Sequence, residues 1–175
     1  MTRDAQGTLR RAALGTVAFV LVVPASVVVL GPWLLTGWHL APPLFGSRAT
    51  RWLGGVLIVL ALPVFAAFNL RFVVEGRGTP APIAPTERLV VGGPFRWVRN
   101  PGYISVIALL LGQALVFGSS VLLAYAAVIA LGFHLFVVFY EEPTLRRQFG
   151  AEYETYCRAV RRWVPRLRPV PWQPR

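Results

Sequence analysis

Two short stretches of the 175-residue chain carry residue types that could do chemistry. The first is residues 89–103, LVVGGPFRWVRNPGY. Phe95, Trp97 and Tyr103 are interleaved there with Arg96 and Arg99, and the breakers Asn100-Pro101-Gly102 precede a long apolar run. A helix that starts after such breakers presents free N–H groups and positive potential, which suit an anionic group. The second is the adjacent pair Glu141-Glu142 at the end of the last apolar run, followed by Arg146. A carboxylate there could accept hydrogen bonds from a ribose or hold a cationic centre. The blander readings are an aromatic and arginine belt at headgroup level and a helix end with Glu142 and Arg146 paired at i,i+4. A belt alone does not explain consecutive breakers beside Asn100. Two acids leaving a membrane beside an arginine-rich face are a costly way to solubilise a helix end. His134 lies inside the last apolar run. An ionisable residue at that depth is a functional candidate, although a single His on an apolar helix is more often a packing residue.

Other chemistries lack their residues. No GxGxxG follows a strand, and no P-loop, HExxH or GxSxG occurs. The only His residues are His39 and His134 and the only Cys is Cys157, so no metal-ligand cluster and no internal disulfide is expected.

The elements that must position these residues are written in the hydropathy. Of all residues 55% are hydrophobic and only 14% charged, and the mean hydropathy is +0.57. A disordered chain, a coiled coil and a secreted disulfide scaffold are excluded. The apolar residues fall in blocks at 12–35, 52–74 and 103–140. About 20 apolar residues span a bilayer as helix. The last block would be about 57 Å long as one helix, nearly twice the hydrocarbon thickness. It must turn back, and Gly118-Ser119-Ser120 is its only turn-like cluster. The first block is too long for the apolar part of a signal peptide.

The net charge is +11 and every basic residue is Arg. A basic total often signals nucleic acid, but sixteen of the arginines fall on one side of the spans and two on the other. That asymmetry is the positive-inside pattern, so the charge is read as topology and contact with anionic headgroups, with no nucleic-acid partner.

The expected architecture is an all-α polytopic membrane protein, one domain over residues 1–175. It has four transmembrane helices at about 12–35, 52–74, 103–117 and 120–140, the last two forming a tight hairpin. A Pro/Gly-rich loop occupies 76–85. An amphipathic cytosolic helix follows at about 141–163, and Pro165, Pro169, Pro171 and Pro174 end regular structure. Both termini are cytosolic. With equal rise on both arms, Tyr140 sits near Pro101 and Gly102, and His134 near Ile104. Asn100 to Tyr103 and Glu141-Glu142 then share one inner mouth. Gln113 lies deeper, near Tyr125, and is expected to bond across the hairpin.

The two motifs in this order, GPFRWVRNPGY and then EEPTLRRQFGAEYETYCRAVRRWVP after a hairpin, resemble the isoprenylcysteine carboxyl methyltransferase-like and phospholipid methyltransferase families of integral membrane methyltransferases. The second motif agrees with the family pattern through Glu141, Glu142, Leu145, Phe149, Gly150, Tyr153, Tyr156, Val160, Arg162 and Pro165. The resemblance covers residues 89–165. It implies S-adenosyl-L-methionine bound at the cytosolic membrane face. It also implies a lipophilic acceptor from the bilayer, either a lipid or a small acid, amine or thiol. On this resemblance Leu89 and Val90 lie along the adenosine, and Phe95 replaces a cofactor-contacting Tyr. Asn100, Pro101, Gly102 and Tyr103 form the cofactor segment, with Asn100 in place of His. Glu141 is the cofactor-contacting acid. Arg99 suits the cofactor carboxylate, His134 joins the cofactor group, and Glu142 and Arg146 are assigned to catalysis. Isoprenylcysteine enzymes also carry a substrate-facing Arg one turn before the acidic pair, where this chain has Val137. The lysine-free, Ala-, Gly-, Pro- and Arg-rich composition resembles GC-rich bacterial coding, which points to a bacterial inner membrane. Two rival readings are a non-catalytic membrane protein that binds lipid or a partner helix, and an NADPH-dependent membrane reductase like the sterol reductases.

Overall fold

The computed structural model describes residues 22–71 and 89–171. The start of the first apolar block (12–21), the loop at 76–85, and Arg3, Arg10, Arg11, Arg77, Arg88, Pro174 and Arg175 lie outside the described residues. Those described are helical or irregular, with no strand among them. They form α1 (Val22–Thr36), α2 (Ala49–Arg71), α3 (Pro101–Phe117), α4 (Ser120–Phe136), a π-helical turn (Val137–Glu141) and α5 (Glu142–Ala159). Residues 160–171 follow as a non-helical strap. Two helices are long and apolar enough to cross a membrane, α2 and the continuous α4–α5 helix Ser120–Ala159. Its apolar part is 120–140, and α5 carries the charged residues beyond. Val22–Thr36 and Pro101–Phe117 are shorter apolar helices.

α1 is broken by its own sequence. A π-helical turn at Ser26–Leu30 carries the Gly31 N–H to the Ser26 carbonyl, which leaves the Val27 carbonyl without its usual donor. Pro32 has no N–H to give the Val28 carbonyl. Neighbouring helices supply both donors. The Tyr125 hydroxyl donates to Val27 O at 3.1 Å and the Gln113 amide to Val28 O at 2.9 Å. This corrects the expectation for Gln113. It bonds to α1, and to the Trp38 indole at 3.2 Å, rather than across the hairpin. The repair gives both freed carbonyls a donor, as a break in an apolar helix requires where water is scarce.

α2 and α3 pack closely along their length, and two glycines let them. A Cβ on Gly54 would come within 2.6 Å of the Gly112 carbonyl, and one on Gly112 within 2.8 Å of the Gly54 carbonyl. Small residues at a crossing replace the hydrophobic drive that lipid removes. The α3–α4 turn falls where the sequence places it. Gly118 takes the left-handed conformation, φ +70°, and Ser119 caps α4 by accepting from the Leu122 N–H at 3.3 Å.

The tail departs from expectation in two ways. The helix ends at Ala159, short of 163, and Gly150 is non-helical inside it, φ 49°. The proline-rich strap then runs back along the segment before α3. Arg99 N–H donates to Arg161 O (2.9 Å), Arg166 N–H to Trp97 O (2.9 Å) and Val170 N–H to Arg96 O (3.0 Å). The Arg96 guanidinium adds a bond to Val170 O at 2.7 Å.

Gly112→Val should lower the thermal unfolding midpoint in detergent by several degrees, because overpacking costs about 1–3 kcal/mol. Gly132→Val, where an added Cβ meets nothing within 4 Å, serves as the control and should leave the midpoint nearly unchanged.

Candidate functional site

The segment 89–100 is held from below by apolar burial. Leu89, Val90, Val91 and Phe95 form one buried cluster with Tyr153, Tyr156 and Val160 of the tail. The Tyr156 hydroxyl donates to Phe95 O at 2.8 Å, and the Phe68 ring of α2 stands 5.7 Å from that of Phe95. Burial raises the pKa of both Tyr153 and Tyr156, so these hydroxyls stay neutral. Three residues expected along a cofactor, Leu89, Val90 and Phe95, therefore lie in the floor that α5 supports.

α3 begins above this floor. Asn100 occupies the cap position without a side-chain cap bond, and Pro101 follows in the first turn. The Asn100 amide donates to Arg162 O of the strap at 3.1 Å. Gly102 is required here, since a Cβ would meet the Phe68 ring at 2.6 Å. Tyr103 projects to the facing helix. Its hydroxyl donates to Glu141 Oε2 at 2.6 Å, and its ring lies 4.6 Å from that of Phe133. The expected meeting of the α3 start with the acidic pair is thus present as a direct bond. Glu141 Oε1 has no partner among the described residues.

Glu142 turns the other way, into the protein, and is 2% exposed. Arg162 approaches it with two nitrogens, at 2.6 and 2.9 Å. Arg99 lies at 3.2 Å and Arg146, at i,i+4, at 3.6 Å. Arg146 also reaches Glu154 at 2.8 Å. Arg99 in addition donates to Cys157 Sγ at 2.7 Å, while its buried Nε has no hydrogen-bond partner among the described residues. Burial alone would raise the Glu142 pKa. The hydrogen bond from Arg162 and the charges of Arg99, Arg162 and Arg146 outweigh it and hold the carboxyl below its ordinary value.

His134 is exposed on α4 and belongs to a different contact. Its Nδ1 pairs with the Trp163 indole N–H at 3.2 Å, and the rings stand 6.1 Å apart. Trp163 also faces Tyr103, at 6.5 Å. Glu141 has no bond to His134. The position expected to carry a substrate-facing Arg in isoprenylcysteine enzymes, Val137, is buried at 1% exposure. Three residues that sequence reasoning gave no role, Arg162, Trp163 and Cys157, are part of this network. Arg162 had a signal, since it falls in the second motif, but nothing local says which acid it meets.

A protein-family model described as phospholipid methyltransferase matches residues 49–152, more than half of the chain. The chain belongs to the phospholipid methyltransferase family. It is therefore an integral membrane methyltransferase of a family that generally uses S-adenosyl-L-methionine. The phospholipid methyltransferase match takes in α2, which the sequence reading treated only as a generic span. It also takes in Tyr103, Glu141 and Glu142, and it stops before the strap. Neither the search of curated proteins nor that of solved structures returned a match.

Because the Glu142 pKa is lowered on folding, its contribution is complete above the ordinary value of 4.5 and is lost as pH falls through the lower folded value. Glu142→Gln should therefore remove part of the acid sensitivity of unfolding. At neutral pH it should cost about 2–3 kcal/mol, below the usual loss for breaking a fully buried pair because Arg146 and Arg162 are partly solvated. Thermal melts in detergent between pH 3 and pH 7 measure both. Equal midpoints for variant and parent at neutral pH would refute a binding role for this cluster in the fold.

Proposed function

We propose that the mouth formed by residues 89–103, Glu141 and the strap binds S-adenosyl-L-methionine, and that the chain transfers its methyl group to a lipophilic acceptor arriving from the bilayer. In this reading α1 to α4 are four spans with the mouth and both termini on the cytosolic side, in keeping with the arginine asymmetry.

The observation that carries the reading is the set of unused groups at the start of α3. Gly102 and Tyr103 have backbone N–H groups in the first turn, where helices lack internal acceptors, and Arg99, in the segment just before them, has a buried Nε that is unpartnered among the described residues. Unpaired buried donors are costly. Together they suit the carboxylate of an amino-acid moiety. Glu141 suits the opposite end of the chemistry. Its Oε2 is held by Tyr103, which leaves Oε1 to accept from a ribose hydroxyl or to face a sulfonium, and the Tyr103 and Trp163 rings offer faces to a cation. The donor and acceptor sets thus fit the cofactor.

S-adenosyl-L-methionine supplies, when bound, an electrophilic methyl group on a sulfonium, so no covalent nucleophile is needed from the protein. What the residues contribute is orientation. Tyr103 fixes the Glu141 carboxylate. Arg162 and Arg99 hold Glu142, and through it the ends of α3 and α5. Glu142 and Arg146 then act as positioning residues rather than as groups that touch the acceptor. Buried Val137 offers no charge to an acceptor carboxylate, which favours an amine, a thiol or a lipid headgroup over a prenylcysteine acid.

Titration calorimetry of the detergent-solubilised protein with S-adenosylhomocysteine should show binding. Tyr103→Phe and Glu141→Gln should each weaken it about tenfold, the loss of one charge-assisted hydrogen bond, while the protein stays folded. Labelled-methyl transfer into a total lipid extract, with mass spectrometry of the product, identifies the acceptor. No binding of S-adenosylhomocysteine at millimolar concentration would overturn the proposal.

A further inference from the structure

The strap is an unusual surface. Arg158 at the end of α5, and Arg161 and Arg168 beyond it, are exposed, and their side chains make no bond among the described residues. Between them stand apolar residues turned out to solvent, Val164 at 57% and Leu167 at 98% exposure, and Trp97, on the segment that the strap pairs with, at 40%. A water-facing segment gains nothing from a Leu in that position. The strap is also tethered at membrane depth. Trp163 bonds to His134, seven residues before Glu141 on α4, which is about 10 Å further along the helix towards the bilayer centre. The segment therefore lies along the headgroup boundary rather than out in the water, and an indole with one wet and one apolar side belongs there.

We propose that the strap is a docking surface for the anionic leaflet. Val164 and Leu167 enter the acyl boundary beside Trp163, and Arg158, Arg161 and Arg168 take lipid phosphates. Charge complementarity names the occupant. Three unpaired guanidiniums around exposed aliphatic side chains suit anionic lipid, and each arginine near such a surface is worth about fivefold in binding. The consequence reaches the mouth. The strap's other side holds Arg96, Trp97 and Arg99 through backbone bonds, Asn100 through Arg162 O and Glu142 through the Arg162 guanidinium. Anionic lipid on the outer side therefore tightens the closure on the inner side. The proposal rests on the membrane orientation given above, and not on methyl transfer.

The test is hydrogen exchange on the full chain in nanodiscs, without cofactor. Amides of residues 160–171 should exchange at least about tenfold more slowly in phosphatidylglycerol-containing discs than in phosphatidylcholine discs, given three arginines acting together. The difference should shrink at about 0.5 M salt. The triple variant Arg158→Gln, Arg161→Gln, Arg168→Gln should erase it while keeping exchange in α2 and α3 unchanged. Equal exchange in both lipids, or a lipid effect that survives in the triple variant, overturns the proposal. So does equal protection in phosphatidylcholine discs with added inorganic phosphate, which would mark a simple anion site. Because no cofactor is present, failure here leaves the S-adenosylhomocysteine result standing, and the reverse also holds.

Discussion

A carboxylate with almost no contact with water cannot stay ionised unless cations come to it, and three come to Glu142. They arrive from different parts of the chain. Arg99 belongs to the segment before α3, Arg146 to the next turn of α5, and Arg162 to the strap. Satisfying one charge therefore joins three pieces that share no secondary structure. Such a cluster gives little net stability against an apolar alternative, but losing one partner is expensive. Its effect is to specify an arrangement. The start of α3, the start of α5 and the strap meet in one geometry because others would leave a buried ion unpaired.

The neighbouring Glu141 shows why the two acids are not equivalent. It closes the π-helical turn, and its side chain takes the Tyr103 hydroxyl instead of an arginine. One acid is saturated by guanidiniums and the other keeps an oxygen without a partner among the described residues. Adjacent carboxylates with different surroundings can hold different tasks. Here the saturated one ties the strap and the start of α3 to α5, and the other is the acid that the proposed reading turns to the cofactor.

Much of this was legible because the rules that govern it are local or fixed by geometry. Long apolar blocks announce helices, and Gly118-Ser119 marks the turn between α3 and α4. Constant helical rise then brings the start of α3 and the acidic pair to one mouth, although it sets Tyr103 about level with residue 135 and does not single out its bond to Glu141. Gln113 was misread because its partner is created by a defect elsewhere. Pro32 frees the Val28 carbonyl, and the reading of α1 gave no register in which that could be seen. The strap was illegible for another reason. Prolines say that a helix ends, but they say nothing about where the chain goes next. Its pairing with Arg96, Trp97 and Arg99 spans 62 to 74 positions, and no periodicity encodes it.

The strap also carries the Glu142 network past the family match. The family match ends at residue 152, whereas among the described residues the nearest cation to Glu142 is Arg162, at 2.6 Å against 3.2 Å for Arg99. An acid inside the matched region thus depends on a base outside it. Arg162 cannot be placed without the strap, and the strap is placed by hydrogen bonds to the same segment that ends in Asn100. The bonded network around Glu142 therefore runs beyond the match, from Arg96 to Val170. Electrostatics, rather than the extent of family similarity, draws its edge.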